Sequence, residues 1–110
     1  MRFLSLTILV LTVSVLPAQV TPLVGTYLGD GQRNYYGNAA PSRLRVHWKI
    51  PLGSANTRVG KTVKRWKGAG WTGQPLVIRE GNETYLIQGS LSHHLKKIRA
   101  RDGRVIWSTS

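Results

Sequence analysis

The tetrapeptide Arg-Val-X-Trp occurs twice, at 45–48 and 104–107, and each copy lies in a short run of alternating apolar and polar residues. Alternate residues of a strand share one face, so the runs predict half-buried strands over 43–50 and 104–109. The two tryptophans lie about 60 positions apart, whereas repeated four-stranded units take roughly 40–50 residues each. We therefore expect an all-β chain with about one repeat unit, part of another, and an insertion over 54–67.

Residues 1–18 have the three parts of a secretory signal peptide. A positive start, Met1-Arg2, precedes an apolar run over 3–16, and Pro17-Ala18 ends that run. The run is shorter than the roughly 20 residues that a membrane-spanning helix needs. We therefore expect cleavage near Ala18, no transmembrane span, and a secreted or periplasmic protein. Residues 19–42 show no periodicity and are predicted to be an irregular leader.

The second half of the chain contains four predicted strands joined by tight turns. The strands cover 74–79, 83–89, 94–100 and 104–109. The turn at 101–103 contains Asp-Gly, a pair that readily adopts positive φ. Four short strands in this order predict one antiparallel meander, which is the arrangement of a β-propeller blade. The insertion is either a short amphipathic helix, because Val59, Val63 and Trp66 have helical spacing, or an irregular basic loop.

Residues 95–107 resemble the repeat of the pyrroloquinoline-quinone-like (PQQ-like) β-propellers, which reads roughly Leu-X-Ala-Leu-Asp-Ala-X-Thr-Gly-Lys-Val-X-Trp. The positions that match are Ala100, Gly103, Val105 and Trp107. In the family this tryptophan packs between neighbouring blades. The resemblance covers about residues 43–110 and implies that the chain is an N-terminal fragment of a propeller. It also implies that the blade-docking residues are Trp48, Ala100, Gly103 and Trp107, with Trp48 and Trp107 at equivalent positions.

The turn before the second tryptophan departs from the family repeat at two positions. Arg99 stands where the family has Asp, and Asp102 stands where it has Thr. A carboxylate in such a turn can accept hydrogen bonds from backbone N–H groups. Because Arg99 cannot, we expect either a less regular blade or Asp102 in this role.

The resemblance implies two functions. Some members of the family are outer-membrane assembly scaffolds that bind proteins without a cofactor, and others are quinoprotein dehydrogenases that oxidise alcohols or sugars. Calcium needs six to eight oxygen ligands and the chain has 4 acidic residues, so we expect no cofactor in this fragment. PQQ and calcium belong to the full-length dehydrogenase alternative, in which Trp71 is a candidate to stack on the quinone. We favour a binding or scaffold module whose partners are further blades or another protein.

Charge keeps a third function open, that of a basic secreted polyanion-binding protein. The chain has 16 Lys and Arg residues against 4 Asp and Glu, a net charge of +12. The candidate anion-binding residues lie in the insertion, interleaved with Trp66, and are Arg58, Lys61, Lys64, Arg65 and Lys67. No metal site is expected, because His93 and His94 are neighbours that point to opposite faces of a strand. No catalytic group is expected either, because the sequence shows no serine–histidine–acid grouping and no paired carboxylates.

Overall fold

The computed structural model describes residues 17–33, 41–70 and 73–110, which form seven strands and no helix. In chain order the strands are β1 (Val20–Val24), β2 (Ser54–Val59), β3 (Thr62–Lys67), β4 (Leu76–Glu80), β5 (Glu83–Gly89), β6 (Leu95–Arg99) and β7 (Val105–Thr109). Five of them make an antiparallel sheet of order β1-β4-β5-β6-β7, and β2 and β3 pair as a separate hairpin. The all-β prediction is confirmed.

The meander of β4 to β7 follows the predicted order. Val77 pairs with Leu86, and Leu86 pairs with Ile98, so these three side chains lie in one row on one face of the sheet. Residues 48–52 lie over this face. Together they line a mainly apolar cavity of about 280 Å³ that is open to solvent. The core of the described chain is therefore a thin layer between this sheet face and the 48–52 segment.

Two sequence predictions for the first half of the chain are wrong. Residues 43–50 form no strand, and Leu44 and Val46 are 90% and 80% exposed. The reason is that this segment pairs with no strand, and only its end packs on the sheet. Conversely, part of the predicted irregular leader is strand β1, in which Val20 pairs with Glu80. Pro22 obscures this strand in the sequence, but an edge strand tolerates proline because one side of its backbone needs no partner.

The insertion at 54–67 is neither of the predicted alternatives. It is a regular hairpin with a two-residue turn at Gly60-Lys61, where Gly60 has a φ of +61°. A type II′ turn needs this positive φ at its first central residue. The twist of such a turn matches the twist of the two strands that it joins. The helical spacing of the three apolar residues was misleading, because the turn places them on different strands.

The signal-peptide prediction falls almost entirely on residues 1–16, which lie outside the described residues, as do 34–40 of the leader. Within the described ranges, no helix is long and apolar enough to cross a membrane.

Candidate functional site

Trp48 docks on the turn that joins β6 to β7. Its indole Nε1 donates a hydrogen bond to the backbone oxygen of Ala100, at 2.7 Å. The ring lies against Gly103, where an added Cβ would come within 2.7 Å of Trp48 Cε3. Gly103 is buried and has a φ of +74°, so the position needs glycine both for its backbone conformation and for the space that the indole takes.

Neighbouring contacts hold the same turn in place. The Ala100 N–H donates to Thr84 O at 2.9 Å, and the Gly103 N–H donates to Arg99 O at 2.9 Å. His47 Nε2 lies 3.1 Å from the backbone oxygen of Arg101, so His47 and Trp48 both contact carbonyls of this turn. The sequence analysis missed His47, although its place beside the tryptophan in the first Arg-Val-X-Trp copy was the available signal.

Asp102 is exposed, and it connects the two ends of the turn by hydrogen bonds to Arg99 and Arg104. Its Oδ1 accepts the Arg104 N–H at 3.1 Å, and its carboxylate accepts three hydrogen bonds from Arg99 at 2.6–3.1 Å. These hydrogen bonds, first from Arg99 and then from the Arg104 backbone, lower the pKa of Asp102 from 3.8 to about 2. Of the two alternatives expected for this turn, the structure shows Asp102 accepting a backbone N–H group, with Arg99 as its ion-pair partner.

The other acidic side chains of the meander are also paired with cations. Glu80 binds Lys97, whose Nζ also lies 4.3 Å from the centre of the Tyr85 ring. Glu83 lies 3.3 Å from Arg101 Nε. These carboxylates therefore neutralise cations of the sheet. In the described ranges, no group of three or more His, Cys, Asp or Glu residues is placed to hold a metal ion.

Of the four predicted docking residues, the structure brings three together. Trp48, Ala100 and Gly103 are in direct contact, whereas Trp107 lies elsewhere, on the outermost strand β7, opposite Lys97. The prediction that Trp48 lies in a strand over 43–50 is wrong, since residues 41–50 form no strand, whereas Trp107 lies within β7. Trp71, the candidate to stack on a quinone, lies outside the described residues.

The predicted anion-binding residues gather on the β2–β3 hairpin. Cross-strand partners share a face, so one face carries Arg58, Arg65 and Lys67, the other carries Lys64 and Trp66, and Lys61 lies in the turn. All five cations are exposed. His93 and His94 point apart, because His93 Nε2 lies 3.1 Å from Thr57 Oγ1 and His94 Nδ1 lies 2.8 Å from Ser92 O.

Comparisons with protein-family models, with curated proteins and with solved structures give no match for this chain.

Proposed function

We propose that this chain is a fragment of a secreted or periplasmic PQQ-like β-propeller and that it acts as a binding or scaffold module. The observation that carries the proposal is the contact of Trp48 with Ala100 and Gly103. It joins the tryptophan of the first Arg-Val-X-Trp copy to the turn that precedes the second copy. The resemblance to this family implies a tryptophan that packs between neighbouring blades, and this contact likewise connects one copy of the repeat to the other.

The edge strand β7 supports the same proposal. Trp107 is 39% exposed there, and its apolar neighbours Val105 and Ile106 are 41% and 42% exposed. Contiguous exposed apolar side chains on a strand edge are typical of a surface that packs against another protein element. In the proposal, Trp107 packs on the turn of a further blade or of a partner protein, as Trp48 packs on the turn at 100–103.

A scaffold is favoured over a quinoprotein dehydrogenase because of the carboxylates. Glu80, Glu83 and Asp102 each bind Lys or Arg side chains. A calcium site would have to compete with these ion pairs for its oxygen ligands. The dehydrogenase, with PQQ and calcium held by the complete propeller, is the alternative.

The test places a photo-crosslinking amino acid at Trp107 in the full-length protein, in the cells that produce it. We expect crosslinks to one defined turn, either in the same protein or in a single partner. The same amino acid at Leu44, which is 90% exposed, is the control and should give no defined product. Equal, diffuse crosslinking from both positions contradicts the proposal. Saturable binding of PQQ and calcium in equilibrium dialysis favours the dehydrogenase.

A further inference from the structure

The β2–β3 hairpin is an arm that is attached to the described chain only near its base. Neither of its strands packs against the five-stranded sheet. The Gly68 N–H donates to Gly53 O at 3.1 Å, and the Leu91 N–H donates to Gly68 O at 2.7 Å. Thr57 contacts His93, and every residue of β3 is exposed. The outer half of the hairpin is therefore surrounded by solvent on both faces.

The arm carries positive charge with no counter-charge. Residues 54–67 include five Lys and Arg residues and no Asp or Glu. In the described part of the chain, none of these five forms an ion pair with a carboxylate. Arg65 is already oriented, because its Nε and Nη2 donate to Ser54 Oγ at 3.0 and 2.8 Å. An anionic partner is the charge complement that this surface lacks.

Apolar side chains occupy both faces of the tip. Val59 lies on the face of Trp66, and Val63 lies on the face of Arg58. Val59 and Val63 are 51% and 56% exposed, whereas Trp66 pairs with Ala55 near the base of the arm. A soluble polyanion that lies along the arginine face would leave Val59 in water. A planar interface that the tip enters would remove both valines from water at once.

We propose that this arm binds the surface of an anionic lipid bilayer, with its tip in the interface and its cations on the headgroup phosphates. Lys61, in the turn, can extend its long side chain back to the phosphates while its carbon stem stays among apolar groups. The membrane contact is separate from the proposed scaffold role and does not depend on it.

The test is a flotation assay of the full-length protein with vesicles of phosphatidylcholine, with and without phosphatidylglycerol. The Lys61→Gln/Lys64→Gln variant should lower the affinity for anionic vesicles by about 30-fold, because each cation near such a surface contributes about 1 kcal/mol. The control variant Arg79→Gln/Arg104→Gln changes the net charge by the same amount, but away from the arm. We expect it to lower the affinity for anionic vesicles by less than about threefold. Equal losses in the two variants overturn the proposal, since they would reflect net charge alone.

A pair of substitutions that leaves the charge unchanged distinguishes binding to a lipid surface from binding to a soluble polyanion. Val59→Thr/Val63→Thr keeps β-branched residues in the strands, and we expect it to lower vesicle affinity roughly tenfold. It should leave the affinity for heparin unchanged. In a Val63→Trp/Trp66→Phe variant, brominated lipid should quench the tryptophan at the tip more strongly than it quenches Trp66 at the base of the arm in the unsubstituted protein, a readout independent of how the valine-to-threonine variants fold. No valine effect and no quenching at position 63 would mean a soluble polyanion and would overturn the proposal.

Discussion

At the scale of residues, the turn at 100–103 shows how two distant positions fix each other. The indole ring of Trp48 occupies the space that a Cβ at Gly103 would need, and its N–H donates a hydrogen bond to the Ala100 oxygen. Asp102 holds the turn from the other side through the Arg104 N–H. A buried tryptophan N–H generally needs a hydrogen-bond acceptor, so the carbonyl and the glycine together specify tryptophan at position 48.

The first prediction is that Gly103→Ala displaces Trp48. The new Cβ would lie 2.7 Å from the ring and the residue would keep a φ of +74°, so we expect the docked state to lose roughly 1–3 kcal/mol. The measurement, in the full-length protein as for the next two predictions, is hydrogen exchange of the Trp48 indole N–H by NMR. Gly81→Ala is the matched control, because Gly81 has a φ of +57° but nothing within 4 Å of its added Cβ. If both variants accelerate exchange equally, backbone strain rather than the indole contact is responsible.

The second prediction concerns pH. The folded pKa of Asp102 is lowered to about 2, below the 3.8 of the unperturbed group, so its stabilising effect is present above about pH 4. The effect is lost as pH falls from 4 through 2, because the protonated carboxyl binds Arg99 poorly. The Arg104 amide resonance should titrate with a midpoint near 2, and Asp102→Asn should abolish this titration. A midpoint near 4 would contradict the ion pair.

At the scale of elements, local signals were sufficient for the meander of β4 to β7, but not for the β2–β3 hairpin, whose apolar spacing indicated a helix although its two strands are also neighbours in sequence. Strand β5 was predicted at its observed bounds, because Glu80-Gly81-Asn82 and the alternation after it are local. Elements that depend on distant partners were missed. Strand β1 forms by pairing with the edge of β4, which is distant in sequence. Pro22 within β1 made this strand hard to predict. The alternation at 43–50 predicted a strand, but no strand lies beside that segment, so only Trp48 and Ile50 pack.

The candidate site was also predicted only in part. The resemblance implied docking roles for Trp48, Ala100 and Gly103, and the structure places these three residues in contact. It did not indicate that Trp48 would dock from outside any strand, or that His47 would contact the same turn. The cations of the insertion were recognised by composition, but their division between two faces follows from the hairpin register, which the spacing of the apolar residues concealed.

The third prediction tests the centre of the meander. Ile98 is 3% exposed and borders the cavity beneath residues 48–52. Ile98→Ala enlarges that cavity, and we expect it to cost about 2–5 kcal/mol. Amide hydrogen exchange of β5 and β6 should accelerate accordingly. Val46 is 80% exposed, so Val46→Ala should change the free energy of opening that is measured by this exchange by no more than about 0.5 kcal/mol. Unchanged protection in Ile98→Ala would show that the 48–52 segment does not cover this face in solution.

At the scale of the whole molecule, charge is unevenly distributed. Three of the four acidic residues lie on the five-stranded sheet or in its turns, in ion pairs with Lys and Arg side chains, whereas the hairpin has five cations and no acid. Residues 73–110 have six Lys and Arg residues against these three acids, a net charge of 6 − 3 = +3, whereas the shorter hairpin over 54–67 has +5. This separation fits one part that packs against protein and another that meets an anionic surface.

The last prediction is that the isolated chain is not a stable monomer. In the described ranges, Ile98 is the one large apolar side chain that is buried, while Leu76, Leu95, Val105, Ile106 and Trp107 of the sheet are all about 40% exposed. Ordering a residue costs about 1–2 kcal/mol of conformational entropy, which so thin a core cannot offset, and a single repeat unit cannot bury its own apolar face. Far-UV circular dichroism in urea should show a broad, non-cooperative change, or a transition whose midpoint rises with protein concentration because copies associate. Sedimentation of the same samples separates these two outcomes. A cooperative transition of a monomer, independent of concentration, would show that the sheet needs no neighbour and would contradict the propeller proposal.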